Sequence, residues 1–238
     1  MDFFDVINQQ GLDPVSFDYN VDIVMCIDST GSMDPILDNV KRTALSFESL
    51  FKNAMRTDGK KVSQLRVKII SFRDFIIDSV PMRQSPFFSL PAEQNAFKSF
   101  LDSIEASGGG DEPENALEAI ALALDSDWVK TGTKRRHVIL LFTDASALPL
   151  HERSDCRDYP PNMPKDLSEL GNWWEGVSQF HRSNYETNAG RMVVFAPRKE
   201  PWTQMRSWSR FWCSYNEKTG LEGTDIQDVI SLLVGSVS

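Results

Sequence analysis

Val21-Asp22-Ile23-Val24-Met25-Cys26-Ile27, followed at once by Asp28-Ser29-Thr30-Gly31-Ser32, is the stretch on which the reading of the fold turns. A short, nearly continuous apolar run that ends in turn residues reads as a strand buried on both faces, as in a parallel sheet. Immediately downstream, Met33, Ile36, Leu37, Val40, Ala44, Phe47, Phe51 and Met55 recur at spacings of three and four, which is the period of a helix with one buried face. Pro35 suits the first turn of that helix, and Asp58-Gly59 closes it.

Working outward, the alternation continues. Leu65 to Phe72 reads as a second strand, and residues 76–82 look extended too. The link between them is so short that the pair is expected to be an antiparallel hairpin. A helix is expected at 92–105, with Phe97, Phe100, Leu101 and Ile104 on one face. Then come Gly108-Gly109-Gly110-Asp111-Glu112-Pro113-Glu114 and another helix to Asp127. His137 to Phe142 is a further strand, ending in Thr143-Asp144. Residues 145–164 show no periodicity, and so long a connection is often functional. A helix at 165–181, a strand at 191–195 and a last helix at 225–234 follow, with 203–216 ambiguous. The expected fold is therefore α/β: a Rossmann-like, doubly wound, mostly parallel sheet of about six strands, with one antiparallel edge strand and helices on both faces. Residues 1–20 read as an irregular arm, and 21–238 as a single domain.

Composition narrows the function. The 238 residues carry 25 Lys and Arg against 34 Asp and Glu, a formal net charge of -9. Such a balance weighs against non-specific binding to nucleic acid or an anionic membrane, both of which need a positive face. No apolar run approaches the roughly 20 residues that cross a bilayer. Met1-Asp2-Phe3-Phe4-Asp5 lacks the positive charge of a secretory leader. Cys26, Cys156 and Cys213 offer neither a disulfide framework nor a Cys-x-x-Cys knuckle. The expected location is the cytoplasm.

The chemistry gathers at strand ends. In open α/β sheets, ligands bind outside the carboxyl ends of the strands, near the topological switch point. Two buried strands end in acids, Asp28 and Asp144, and the glycine-rich turn carrying Asp111 precedes a helix. With Thr30 and Ser32, these supply three carboxylates and two hydroxyls, oxygen ligands that suit a hard cation such as Mg²⁺, with Mn²⁺ or Ca²⁺ as alternatives. A capping reading stands beside this one. Asp28, Ser32 or Asp34 could cap the first helix, and Asp111-x-x-Glu114 resembles a capping box.

Asp28-Ser29-Thr30-Gly31-Ser32 and Phe142-Thr143-Asp144 resemble the first and third elements of the von Willebrand factor A-type domain family. In that family, Asp-x-Ser-x-Ser, a Thr and an Asp form a metal-ion-dependent adhesion site. Here Thr30 fills a serine slot, and Asp111 stands where the family often has Thr. Asp28 to Met33, Ser71-Phe72-Arg73-Asp74-Phe75 and the Gly108–Glu114 turn look like an intracellular branch, which includes domains found beside α-type protein kinases and in bacterial tellurite-resistance-like clusters. The resemblance implies a non-enzymatic, metal-dependent protein–protein interaction module, an adaptor whose partner completes the cation's coordination with an Asp or Glu carboxylate. Asp28, Thr30, Ser32, Asp111 and Asp144 are the implied ligands.

Two other readings remain open at this stage. One is a phosphohydrolase using Asp28 as nucleophile, although Thr30 stands where a second acid would be needed. The other is a structural subunit with a degenerate metal site. The loop 145–164, with Leu148, Leu150, Tyr159 and Met163, is expected to wall the partner surface, or else to pack down as a cover. Asp74 reads as a supporting residue, and His137, His151 and His181 lack ligand spacing. Trp173, Trp174, Trp202, Trp208 and Trp212 read mostly as core, and Lys134-Arg135-Arg136 as a solvated turn.

Overall fold

The structure, a computed structural model, describes residues 18–110, 112–179, 181, 183–215 and 230. Strand β1 (Asp18–Asp28) begins three residues before the apolar run and lies in the interior of the sheet. Its odd positions Val21, Ile23, Met25 and Ile27 enter one core and its even positions Val24 and Cys26 the other, because successive side chains of a strand point to opposite faces. This explains the unbroken apolar run.

On the odd face, helix α1 (Asp34–Thr57) buries the expected stripe from Ile36 to Met55, with a proline in its first turn. Helix α2 (Gln94–Asp102) adds Phe97 and Leu101. On the even face lie helices α3 (Ala116–Leu124), α4 (Leu167–Trp174) and α5 (Trp202–Met205), with Trp128, Trp174 and Trp202 fully buried among them.

Strands β2 (Lys61–Phe72), β5 (Lys134–Phe142), β6 (Gly190–Ala196) and β7 (Phe211–Tyr215) run parallel to β1, while β3 (Met82–Gln84) and β4 (Phe88–Ser89) pair antiparallel with β2. The seven-stranded sheet has the order β3-β2-β1-β5-β6-β7, with β4 off that path against β2. The chain winds outward from β1 through β2, then returns to place β5 on the other side of β1. The switch point therefore lies between β1 and β5.

Several local expectations shift. The antiparallel edge strand forms at Met82–Gln84, while residues 76–80 make a turn. Asp74 causes this: its Oδ1 accepts from the backbone N–H groups of Ile76 and Ile77, folding the chain back before it can extend. Residues 134–136 open β5 as strand, where Arg135 pairs with Glu186 and Arg136 is buried. Helix α4 ends at Trp174, short of 181. The ambiguous 203–216 resolves into most of α5 and β7. Residues 1–17 of the expected arm lie outside the described residues, as does the expected last helix apart from the buried Ile230.

Candidate functional site

Register brings the two acidic strand ends together. Ile27 of β1 lies opposite Phe142 of β5, so Asp28 and Thr143-Asp144 leave the sheet side by side at the switch point. Asp28 is wholly buried. Its Oδ1 accepts from the Thr30 N–H at 3.0 Å and from Thr30 Oγ1 at 2.7 Å. Its Oδ2 accepts from Thr143 Oγ1 at 2.7 Å. Thr30 Oγ1 lies 3.2 Å from Ser32 Oγ, which in turn donates to Asp144 Oδ1 at 3.1 Å.

The result is a continuous chain, Asp28–Thr30–Ser32–Asp144. It has three oxygen–oxygen links, and the two hydroxyls supply only two protons. All three links are satisfied when one carboxyl carries the third proton. The electrostatics agree: burial, aided by the nearby Asp144, pushes Asp28 up to about 6, against the pull of its hydroxyl and amide donors. Burial also raises Asp144.

The glycine-rich turn closes over this chain. Gly31 N–H donates to Gly108 O at 3.1 Å, and Ser107 N–H to Ser29 O at 3.1 Å. Gly109 has φ +71°, and a Cβ there would come within 2.7 Å of Thr30 Cβ. Glycine is required by both conformation and proximity. Gly109 N–H also donates to Asp78 Oδ2 at 3.0 Å, tying the 73–80 turn to the same edge.

Glu114 is the residue at this edge whose setting the sequence concealed. It is 3% exposed, and its Oε2 has no hydrogen-bond partner among the described residues. Burial, then the charges of Asp28, Asp74, Asp144 and Asp78, push it up to about 8. Its only sequence signal was the capping-box spacing, and that role is absent: α3 starts later, behind Asn115, with no side-chain cap. Instead, the Glu114 backbone pairs with the strand exit, accepting from Leu148 N–H at 2.8 Å and donating to Ser146 O at 3.0 Å.

Four of the five expected ligands thus converge through hydrogen bonds, and Asp111 lies outside the described residues. The expected metal chemistry is corrected. Among the described residues, no group of three or more His, Cys, Asp or Glu side chains is placed to hold a metal ion. The assignment of Mg²⁺, Mn²⁺ or Ca²⁺ to Asp28, Thr30, Ser32, Asp111 and Asp144 falls with it, and so does a metal-dependent adhesion function. The physical reason is internal saturation. Donors from Thr30 and Thr143 occupy the Asp28 oxygens, and the Ser32 hydroxyl is spent on Asp144.

The long loop is also corrected in part. Leu148 and Leu150 are buried, and Met163 packs against the core on the α3 face. The Tyr159 hydroxyl donates to Glu118 Oε1 at 2.9 Å and accepts from His151 N–H at 2.8 Å. These residues cover the domain. The exposed apolar side chains at this edge are Ile76, Ile77 and Val80, which the sequence placed in a strand. Asp74 is structural, as expected, and its Oδ2 lies 3.6 Å from Arg153 Nη2.

Comparison with known proteins accords with this fold. The chain is 26% identical over 149 residues to alpha-protein kinase vwkA of Dictyostelium discoideum, covering 62% of this chain and 22% of that protein. It is 31% identical over 150 residues to the putative ariadne-like RING finger protein R811 of Acanthamoeba polyphaga mimivirus, covering 63% of this chain and 13% of that protein. The chain therefore spans less than a quarter of either relative. The pilus adhesin SpaC from Lactobacillus rhamnosus GG, in its open conformation, shares the fold with a TM-score of 0.52 at 10% identity, over 94% of this chain and 30% of that one. The family model for the von Willebrand factor A domain matches residues 22–158, more than half of the sequence, and the chain belongs to that family.

Proposed function

We propose that the chain is a protein-interaction module whose partner docks on the carboxyl edge of the sheet, over Thr30-Gly31-Ser32, the Gly108–Gly110 turn and Asp144. The observation that carries this is the convergence at the switch point of side chains from two strand ends beneath the backbone of a glycine-rich turn. Domains of this family are generally non-catalytic adhesion or interaction modules, in keeping with a binding role for this edge. An intracellular placement, in the branch that accompanies α-type kinases, is part of the proposal. Its support is the similarity to a segment of alpha-protein kinase vwkA and the three unpaired cysteines, which suit a reducing compartment such as the cytoplasm.

Ser32→Arg tests the reading, because Ser32 is exposed and a long side chain there obstructs the edge. Proteins captured from source-cell lysate by the wild type should be lost with this variant, at an unchanged melting midpoint. Equal capture by both would place the interface elsewhere.

A further inference from the structure

The proposed interface leaves open what the partner offers, and the inference below rests on that reading. Two features of the edge bear on it. The first is apolar. Ile76, Ile77 and Val80 are 59%, 59% and 53% exposed, and they make up three of the four large exposed hydrophobic residues among those described. They sit within five residues of chain, on a turn held in place at both ends. Asp74 receives the amides of Ile76 and Ile77, and Asp78 receives that of Gly109. A Cβ on Gly110 would lie 3.4 Å from Ile77 Cγ1, so the apolar tip abuts the glycine-rich turn over the site.

The second feature is a set of acids without close counter-ions. Asp28, Glu114 and Asp144 form no ion pair among the described residues. Asp74 and Asp78 reach Arg153 and Arg73 only at 3.6 and 3.7 Å. The nearby cations are already engaged: Arg73 with the carbonyls of Ser29 and Glu105, and Lys199 with Glu112. Glu114 is the independent sign of an unfilled position. Its carboxyl is almost fully buried, its Oε2 is unpartnered, and its Oε1 lies where a Cβ on Gly109 would come within 3.3 Å. It therefore points at the turn that roofs the site.

We infer that this edge receives a protein segment presenting an apolar side chain beside a lysine or arginine. The apolar side chain covers Ile76, Ile77 and Val80, and the cation lies over Asp78 and Asp144 with Glu114 beneath. Charge complementarity selects this occupant. A partner carboxylate, expected when a cation was assigned to the site, would meet Asp144 and Asp78, whereas a basic group pairs with acids that lack a close counter-ion among the described residues. The cation gives orientation and rate, and the apolar contact holds the complex.

The test uses the whole chain and three labelled 12-residue peptides in fluorescence anisotropy. One alternates Leu and Arg, one Leu and Glu, and one Ser and Arg. The Leu–Arg peptide should bind, and the other two should bind at least about tenfold more weakly. Ile77→Ser should weaken the Leu–Arg peptide about tenfold, and Asp144→Asn several-fold with a shallower salt dependence. Ile77 is exposed, so an unchanged melting midpoint checks that the fold is intact. Equal binding of the Ser–Arg peptide, or no effect of Ile77→Ser, would reduce the interaction to general attraction by an acidic protein and overturn the inference. Self-association lost in Ile77→Ser would overturn it in favour of a second copy. If Ser32→Arg abolishes partner capture while the peptides show no preference, the interface stands and only the partner's chemistry is wrong. If Ser32→Arg changes nothing either, the interface itself fails.

Discussion

Asp22 and Asp28 sit six residues apart on one strand, point to the same face and are both wholly buried, yet the protein treats them differently. Asp22, near the amino end, is met by Arg66 from the neighbouring strand, with Nε at 2.8 Å and Nη2 at 2.5 Å, and by the Val129 N–H at 2.6 Å. Next to it, His137 is held neutral between the Val129 carbonyl and the Glu186 N–H, and burial lowers its pKa. This end is closed around its acid: Asp22 has a guanidinium and an amide for partners, and both ring nitrogens of His137 are engaged. Asp28, at the carboxyl end, is given only hydroxyls and one amide, and its pKa rises to about 6. Burial alone does not mark a functional acid. What marks it is burial without a counter-charge, which leaves the group sensitive to whatever approaches.

The largest effect expected from this comparison is at the closed end. Arg66→Met strands a buried carboxylate and should cost roughly 3–5 kcal/mol in urea unfolding. Asp28→Asn, by contrast, should cost only about 1–2 kcal/mol, because no salt bridge is lost and the neighbouring hydroxyls can reorient toward the new amide. Equal losses in the two variants would break the comparison.

A smaller effect is a change in pH dependence. Glu114 is raised from 4.5 to about 8 in the fold. Between those values the folded state holds a proton that the unfolded chain releases, so its contribution to stability is complete below the unfolded value and disappears as pH rises through the folded one. Glu114→Gln cannot lose that proton. Relative to wild type it should gain on the order of 1–2 kcal/mol between about pH 5 and about pH 9, measured as unfolding free energies. A difference that does not vary with pH would show that Glu114 does not titrate in this window.

The smallest expected effect is that of metal. With the site's donors spent on one another, millimolar Mg²⁺ or EDTA should leave the melting midpoint within about 1 °C. A rise of several degrees with Mg²⁺ would reinstate a cation at the open end and sharpen the contrast with the closed one.

The local pattern was legible wherever burial imposes a period. The stripe from Ile36 to Met55 and the unbroken run from Val21 to Ile27 needed no tertiary knowledge, because a helix against a sheet and a strand between two helical layers each force their own spacing. Acids at two strand ends likewise pointed to the switch point of an α/β sheet. The turn at 76–80 was misread because β-branched Ile and Val favour strands, and only the Asp74 carboxylate bonding forward to two amides overrides them. Leu148 and Leu150 could have walled an interface or packed down as a cover, and they proved to be buried, a choice that depends on how the loop folds back on the domain.

The sequence by itself determined the layers, the order of the elements and the meeting of Asp28, Thr30, Ser32 and Asp144 at one edge, for those follow from periodicity and chain topology. Only the tertiary structure decided what these groups do there. Whether an oxygen's lone pairs face an incoming ligand or a neighbouring hydroxyl is a matter of a few tenths of an ångström, set by the register of β1 against β5 and by the glycine turn pressed onto Thr30. Glu114 shows this most clearly. Its letter and spacing read as a helix cap, and the fold instead buried it, left its Oε2 without a partner among the described residues and turned its carboxyl toward the glycine turn at the open edge.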